Sequence, residues 1–189
     1  MDRRFFLKSV FAWVAAFFLP LTLRPTPSIA EEDHLTPALG PGPYFKPDSP
    51  LRTSFLEQDV PGSKISLRGQ VVAMNGSALP NVLVDFWQAD ANGSYDNTGY
   101  KLRGHQFTDQ EGQYSLETII PGGYSGRTRH IHVRVQPRGG SILTTQLFFP
   151  EEPMNQTDFL FRPELLMKMT GSMARFDFVL PAESKSATI

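Results

Sequence analysis

The chain has 189 residues, with 18 Lys+Arg against 19 Asp+Glu and a formal charge of −1. This balance argues against nucleic acid as a partner, because a phosphate backbone selects a basic face. Cysteine is absent, which excludes disulfides and thiolate metal sites and leaves His, Asp, Glu, Tyr and main-chain oxygen as ligand types.

The chain begins with a charged run, Arg3-Arg4-Phe5-Phe6-Leu7-Lys8. An apolar stretch from Val10 to Leu23 follows, then the small-residue site Pro27-Ser28-Ile29-Ala30. That order is the pattern of an export signal. Paired arginines before Phe-Leu-Lys resemble the twin-arginine address, which a receptor reads. The expectation is export to the periplasm with cleavage near Glu31; retention of residues 1–30 as an anchor is the alternative. The apolar stretch is too short to favour a stable membrane span. Residues 1–30 carry Arg3, Arg4, Lys8 and Arg24 against Asp2 alone, so 14 basic and 18 acidic residues remain after them, a formal charge of −4. Residues 31–189 are enough for one domain with a real core.

Residues 31–62 are rich in proline, notably Leu39-Gly40-Pro41-Gly42-Pro43-Tyr44-Phe45-Lys46-Pro47. Repeated X-Pro pairs force extended geometry and predict an arm wrapped around the domain. From residue 63 the pattern is short strands: Lys64–Met74, Val82–Ala89, Gln106–Thr108, Gln113–Thr118, His130–Val135, Leu143–Phe149 and Arg175–Leu180. Asn75-Gly76 between the first two predicts a hairpin, with a connection lengthened through Pro80. Strands at this spacing predict a mainly β fold, a single antiparallel β-sandwich over 63–189. A short C-terminal helical turn is expected over Pro163–Thr170, with proline at its start and Gly171 after its end.

The chemistry concentrates around Arg129-His130-Ile131-His132. Alternate residues of a strand share a face, so His130 and His132 point the same way, close enough to grip one ion. Imidazole suits iron, copper, zinc and nickel, so the pair alone does not name the metal. His34 and His105 read as surface residues. Tyr114 reads as core, whereas Tyr44 and Tyr100 fit a pocket lining or plain packing. Tyr95 and Tyr124 lie in the turns Asn92-Gly93-Ser94-Tyr95 and Pro121-Gly122-Gly123-Tyr124, from which a side chain projects over a sheet edge. A phenol ordinarily ionises near pH ~10, and a trivalent cation lowers that strongly. Two phenolates then offset two of the three charges of ferric iron.

Five segments resemble the intradiol ring-cleavage dioxygenases, the non-haem iron(III) group that contains protocatechuate and catechol dioxygenases. They are Gly42–Phe45, Val84–Tyr95, Arg103–Tyr114, Thr118–Tyr124 running into His130-Ile131-His132, and Thr144–Pro150. The resemblance implies Fe(III) as cofactor, held by Tyr95 and His130 as equatorial and Tyr124 and His132 as axial ligands. It also implies a catechol-type substrate and dioxygen, with Tyr124 accepting a substrate proton. Arg127 matches an arginine that stabilises developing negative charge, a sensible use of a permanent cation, and Gln146 matches a glutamine that lines the same pocket. Trp87 and Asp90 read as packing and turn chemistry, and Arg129 as a residue that meets solvent or an acid. Five residues separate Tyr124 from His130, fewer than in well-known members. Six extended steps still span up to roughly 20 Å, so four-fold ligation remains reachable, with Ser125 and Gly126 predicting a more open pocket. Two other readings stand beside this one: a non-catalytic transthyretin-like binding module, and a zinc or copper site joining the histidines to Asp90 or Glu117.

Overall fold

A computed structural model describes residues 35–181. The export segment, His34 and residues 182–189 lie outside the described residues. Among the described residues no helix is long and apolar enough to cross a membrane.

Among the described residues, nine strands form two sheets. The strands are β1 (Lys64–Ala73), β2 (Leu83–Trp87), β3 (Arg103–Phe107), β4 (Gln113–Ile119), β5 (His130–Gln136), β6 (Leu143–Phe148), β7 (Lys168–Thr170), β8 (Met173–Arg175) and β9 (Phe178–Leu180). One sheet has the order β3-β2-β5-β6 and is antiparallel throughout. The other has the order β4-β1-β8-β7, with β9 also on β1. In that sheet β1 meets β8 and β9 in parallel, so the expected sandwich contains two parallel pairings.

Alternation explains the layering. In β5, Ile131, Val133 and Val135 are fully buried between the sheets, where they join Val84, Phe86, Leu67, Leu116 and Leu147. Each such side chain contributes roughly 1.5–3 kcal/mol by leaving water. His130 and His132 therefore take the other face of β5, yet both are buried as well. The arm covers them. At its start the Thr36 N–H donates to Val179 O (3.0 Å) and the Leu39 N–H to Thr144 O (2.7 Å). Further on, the Arg52 N–H donates to His105 O (2.9 Å) and the Phe55 N–H to Glu117 O (2.8 Å). The chain between these anchors crosses the outer face of the β3-β2-β5-β6 sheet.

Three local expectations need correction. Asn75-Gly76 does turn the chain, with the Ser77 N–H donating to Asn75 Oδ1 at 3.0 Å, but only Ala78 returns to pair with Val72. Pro80 lacks a donor and Asn81 takes φ +61°, so the chain leaves for the other sheet and β1 and β2 make no hairpin. Over Pro163–Thr170 only Pro163–Leu165 forms a 3-10 turn. Leu165 and Met167 are buried and Met169 is half-buried, a period of two that belongs to a strand, and Lys168–Thr170 pairs with β8. The predicted strand Arg175–Leu180 is broken at Phe176-Asp177. There the Tyr114 hydroxyl donates to Phe176 O (2.7 Å) and the Gln70 N–H to Asp177 Oδ1 (2.9 Å).

The break packs against Gly69, where a Cβ would stand 1.6 Å from the Phe176 carbonyl oxygen. Backbone has nowhere to retreat at that distance. Gly69→Ala is expected to cost about 3 kcal/mol or more, read as a fall in the thermal unfolding midpoint. An unchanged midpoint would count against this packing.

Candidate metal centre

Strand register assembles the site's floor. Trp87 stands opposite Arg103 on β3 and opposite His132 on β5, and His132 stands opposite Gln146 on β6. One row across four strands thus reads Arg103, Trp87, His132, Gln146 on the outer face. The Trp87 ring stacks on His132 at 4.9 Å between centroids and 6° between planes, which fixes the imidazole's orientation. His130 lies one step along β5, its Nδ1–H donating to the Thr128 carbonyl at 2.6 Å. That bond leaves the Nε2 lone pair free, 3.2 Å from His132 Nε2.

Two loops supply the tyrosines. In the first, Asp90 Oδ1 accepts the N–H groups of Asn92 and Ser94, each at 2.9 Å, closing a turn that delivers Tyr95. In the second, Gly122 N–H donates to Asp90 O at 2.8 Å, tying the Tyr124 loop to the Tyr95 loop. The two backbones touch: a Cβ on Gly93 would lie 2.5 Å from Gly123 O, and one on Gly122 2.5 Å from Gly93 N. This contact brings the Tyr95 and Tyr124 rings to 5.4 Å, edge to face. Ser125 and Gly126 both take positive φ (+46° and +77°), and the Arg127 N–H donates to Tyr124 O at 2.7 Å. That is a type I′ hairpin turn. The short connection therefore returns the chain at once, and Tyr124 Oη reaches 3.4 Å from His130 Nε2.

Electrostatics agree with a site for a cation. Burial pushes the His130 imidazole down to about 4, against the opposing pull of its bond to Thr128. Burial, followed by the neighbouring His130, holds His132 well below the usual histidine range. Both rings are then neutral near pH 7, the state in which imidazole binds metals. Burial and the adjacent Tyr124 hold the Tyr95 phenol well above its ordinary value. Its Oη is buried with no hydrogen-bond partner, as is His132 Nδ1. A donor set of two imidazoles and two phenols, with one phenol oxygen left unpartnered, fits a hard trivalent ion. Among the described residues no group of three His, Cys, Asp or Glu side chains converges. Asp90 is engaged in its own turn and Glu117 lies on β4 in the other sheet, so neither of them completes a zinc or copper site.

Arg127 is held beside this group. Its Nε–H donates to both carboxylate oxygens of Asp158 at 2.9 Å, and its Nη2 donates to Gln146 Oε1. Asp158 also accepts the Thr128 and Leu160 N–H groups at 2.9 Å. The Gln146 Nε2 group is buried and unpartnered.

A family model described as dioxygenase matches residues 41–183. The chain belongs to the intradiol ring-cleavage dioxygenase family. A solved dioxygenase domain from a dioxygenase–carbohydrate-binding fusion of Streptomyces sp. SirexAA-E is 51% identical, with TM-score 0.76, over 79% of this chain and all of that one. The 3-chlorocatechol 1,2-dioxygenase of Rhodococcus opacus 1CP is 30% identical, with TM-score 0.70, over 77% of this chain and 72% of that one. Catechol 1,2-dioxygenase 2 of Acinetobacter lwoffii is 30% identical over 76% of this chain, which spans 62% of that enzyme's length.

The family fold thus brings together Tyr95, Tyr124, His130, His132, Arg127 and Gln146. Sequence reasoning missed Asp158, which no motif flags and which reaches Arg127 from a loop 31 residues away. It left Tyr44 open; the ring stacks on Tyr95 at 4.3 Å and 12° and meets Tyr124 edge-on at 5.8 Å. It read Trp87 as packing, and the packing partner is His132. Arg129, expected to meet solvent or an acid, lies 3.3 Å from Glu152. His105 is half-buried, its Nδ1 3.2 Å from Ser49 Oγ.

The Asp158 side chain is fully buried, and removing one partner of a buried pair strands the other charge. Asp158→Ala is expected to lower unfolding free energy by roughly 3–5 kcal/mol, measured by urea denaturation. A loss under about 1 kcal/mol would show that the pair behaves as a surface one.

Proposed function

We propose that this chain is a non-haem iron(III) dioxygenase that opens a catechol-type ring between its two hydroxyl-bearing carbons. The product is a cis,cis-muconate-type diacid carrying both atoms of dioxygen. The observation that carries the reading is the convergence of two buried neutral imidazoles and two phenols beside a fixed arginine. Tyr95, Tyr124, His130 and His132 would hold the ion. A ferric ion held there would supply Lewis-acid activation of a catechol ring toward dioxygen.

The protein's own groups do the remaining work. Tyr124 is half-buried, and as the phenolate it would be when holding the ion it would serve as the acceptor for a substrate proton. Arg127, locked by Asp158, presents a permanent cation to the negative charge that develops on the ring. Gln146 shares that guanidinium through Oε1 and keeps an amide N–H free for a substrate oxygen. Tyr44, Trp87 and the arm exclude water from the imidazoles, which keeps their lone pairs for the ion. We also read residues 1–30 as a twin-arginine export segment, which places the activity in the periplasm.

Ferric loading of the purified chain is expected to give a visible tyrosinate-to-iron band. Tyr95→Phe and His132→Ala are expected to lose it. With a panel of catechols, dioxygen uptake should match muconate formation one to one. A colourless loaded protein, or no uptake with any catechol, would overturn the reading.

Arg127→Leu is expected to keep the colour and lose about 10²–10³-fold in kcat, measured by oxygen electrode. Unchanged turnover would remove Arg127 from the chemistry.

A further inference from the structure

Arg103 is 1% exposed, and among the described residues no ion pair includes it. Its Nη1 donates to the Tyr44 carbonyl at 2.6 Å and its Nε–H to the Asp96 carbonyl at 3.1 Å. Its Nη2 is buried without a partner. The guanidinium carbon lies 5.8 Å from the centroid of the Tyr95 ring. Asp85 and Asp96 add longer-range attraction, yet their carboxylates are engaged elsewhere. Asp85 accepts from Ser49 at 2.7 Å, and Asp96 accepts the N–H groups of Thr98, Gly99 and Lys101.

A buried guanidinium with no anionic partner is costly. The two carbonyls it contacts would be served equally well by a neutral amide. What the guanidinium adds is charge, and the ring beside that charge is Tyr95. The contacts also tie together the two segments whose rings stack, since Tyr44 is held at its own carbonyl and Tyr95 at the next residue.

We propose that Arg103 is a positioning residue for the metal centre. It anchors the Tyr44 and Tyr95 segments by their main chain and supplies a fixed positive charge that stabilises negative charge on the Tyr95 oxygen. The inference rests on the ferric reading above. It assigns to the β3 end of the sheet a role distinct from that of Arg127, which faces the substrate from the β6 side. Arg103 touches neither substrate nor ion and acts through Tyr95.

The test compares the iron(III)-loaded wild type with Arg103→Met and Arg103→Lys. A cation beside a phenolate lowers the energy of its donor electrons, so removing the cation brings charge transfer to iron at longer wavelength. Arg103→Met is expected to move the visible band to longer wavelength and to weaken iron binding at least ten-fold. Arg103→Lys retains the charge but loses the forked main-chain contacts. It is expected to hold the band near the wild-type position while its unfolding temperature falls. If Arg103→Met does not fold, Arg103→Gln replaces it, being neutral with amide donors for the two carbonyls. A folded neutral variant with the wild-type band would show that Arg103 is only structural and overturn the assignment. A wild-type protein with no visible band would overturn the ferric reading and this inference together.

Discussion

The site depends on the arm crossing the outer face of the β3-β2-β5-β6 sheet. A sheet in a two-layer sandwich has one face in the core and one toward solvent. Here the solvent face carries His130, His132, Trp87, Arg103 and Gln146, all buried. The arm achieves this with backbone hydrogen bonds to β9 and β6 at its start and to β3 and β4 at its end. Proline suits that task, because extended backbone crosses strands without competing for their ladder bonds. The polar face becomes a second, smaller interior.

Within that interior the donor set is fixed by contacts that carry little free energy singly and leave little freedom together. Two glycine loops touch backbone to backbone and place Tyr95 against Tyr124. A two-residue turn at Ser125-Gly126 returns the chain directly, so the short connection brings Tyr124 to His130. Trp87 and Thr128 fix the two imidazoles by stacking and by hydrogen bonding. Arg127 receives similar treatment from Asp158. Every group of the proposed site is thus held by a neighbour, which is what preorganisation requires.

Much of this was legible in the sequence, and the boundary is physical. Strand alternation put His130 and His132 on one face because that inference needs only two residues two positions apart. The turns bearing Tyr95 and Tyr124 were legible because glycine marks them. The row Arg103, Trp87, His132, Gln146 was not, since it depends on the pairing register of four strands. Asp158 was hidden for a similar reason: its partners Arg127 and Thr128 lie about thirty residues away. The helical turn expected over Pro163–Thr170 formed only at Pro163–Leu165, because proline and glycine bracket strands as readily as helices. There the burial of Leu165 and Met167 decided the outcome. The hairpin at Asn75-Gly76 failed because a turn fixes a reversal of direction and leaves the choice of sheet open. The resemblance to intradiol dioxygenases agreed with the family comparison because it rested on several motifs in order.

The arm's first anchor has a consequence for how the molecule is made. Thr36 bonds to Val179, 143 residues later, so that contact cannot form until nearly all of the chain exists. Contacts this distant form late, after nearer pairings have offset the entropy of closing such a span. The outermost anchor of the roof over the histidines is therefore set only once β9 is in place. Until then His130 and His132 are less sheltered from water, so under the proposed ferric reading the ion that fills the site would depend partly on what surrounds the protein during that interval.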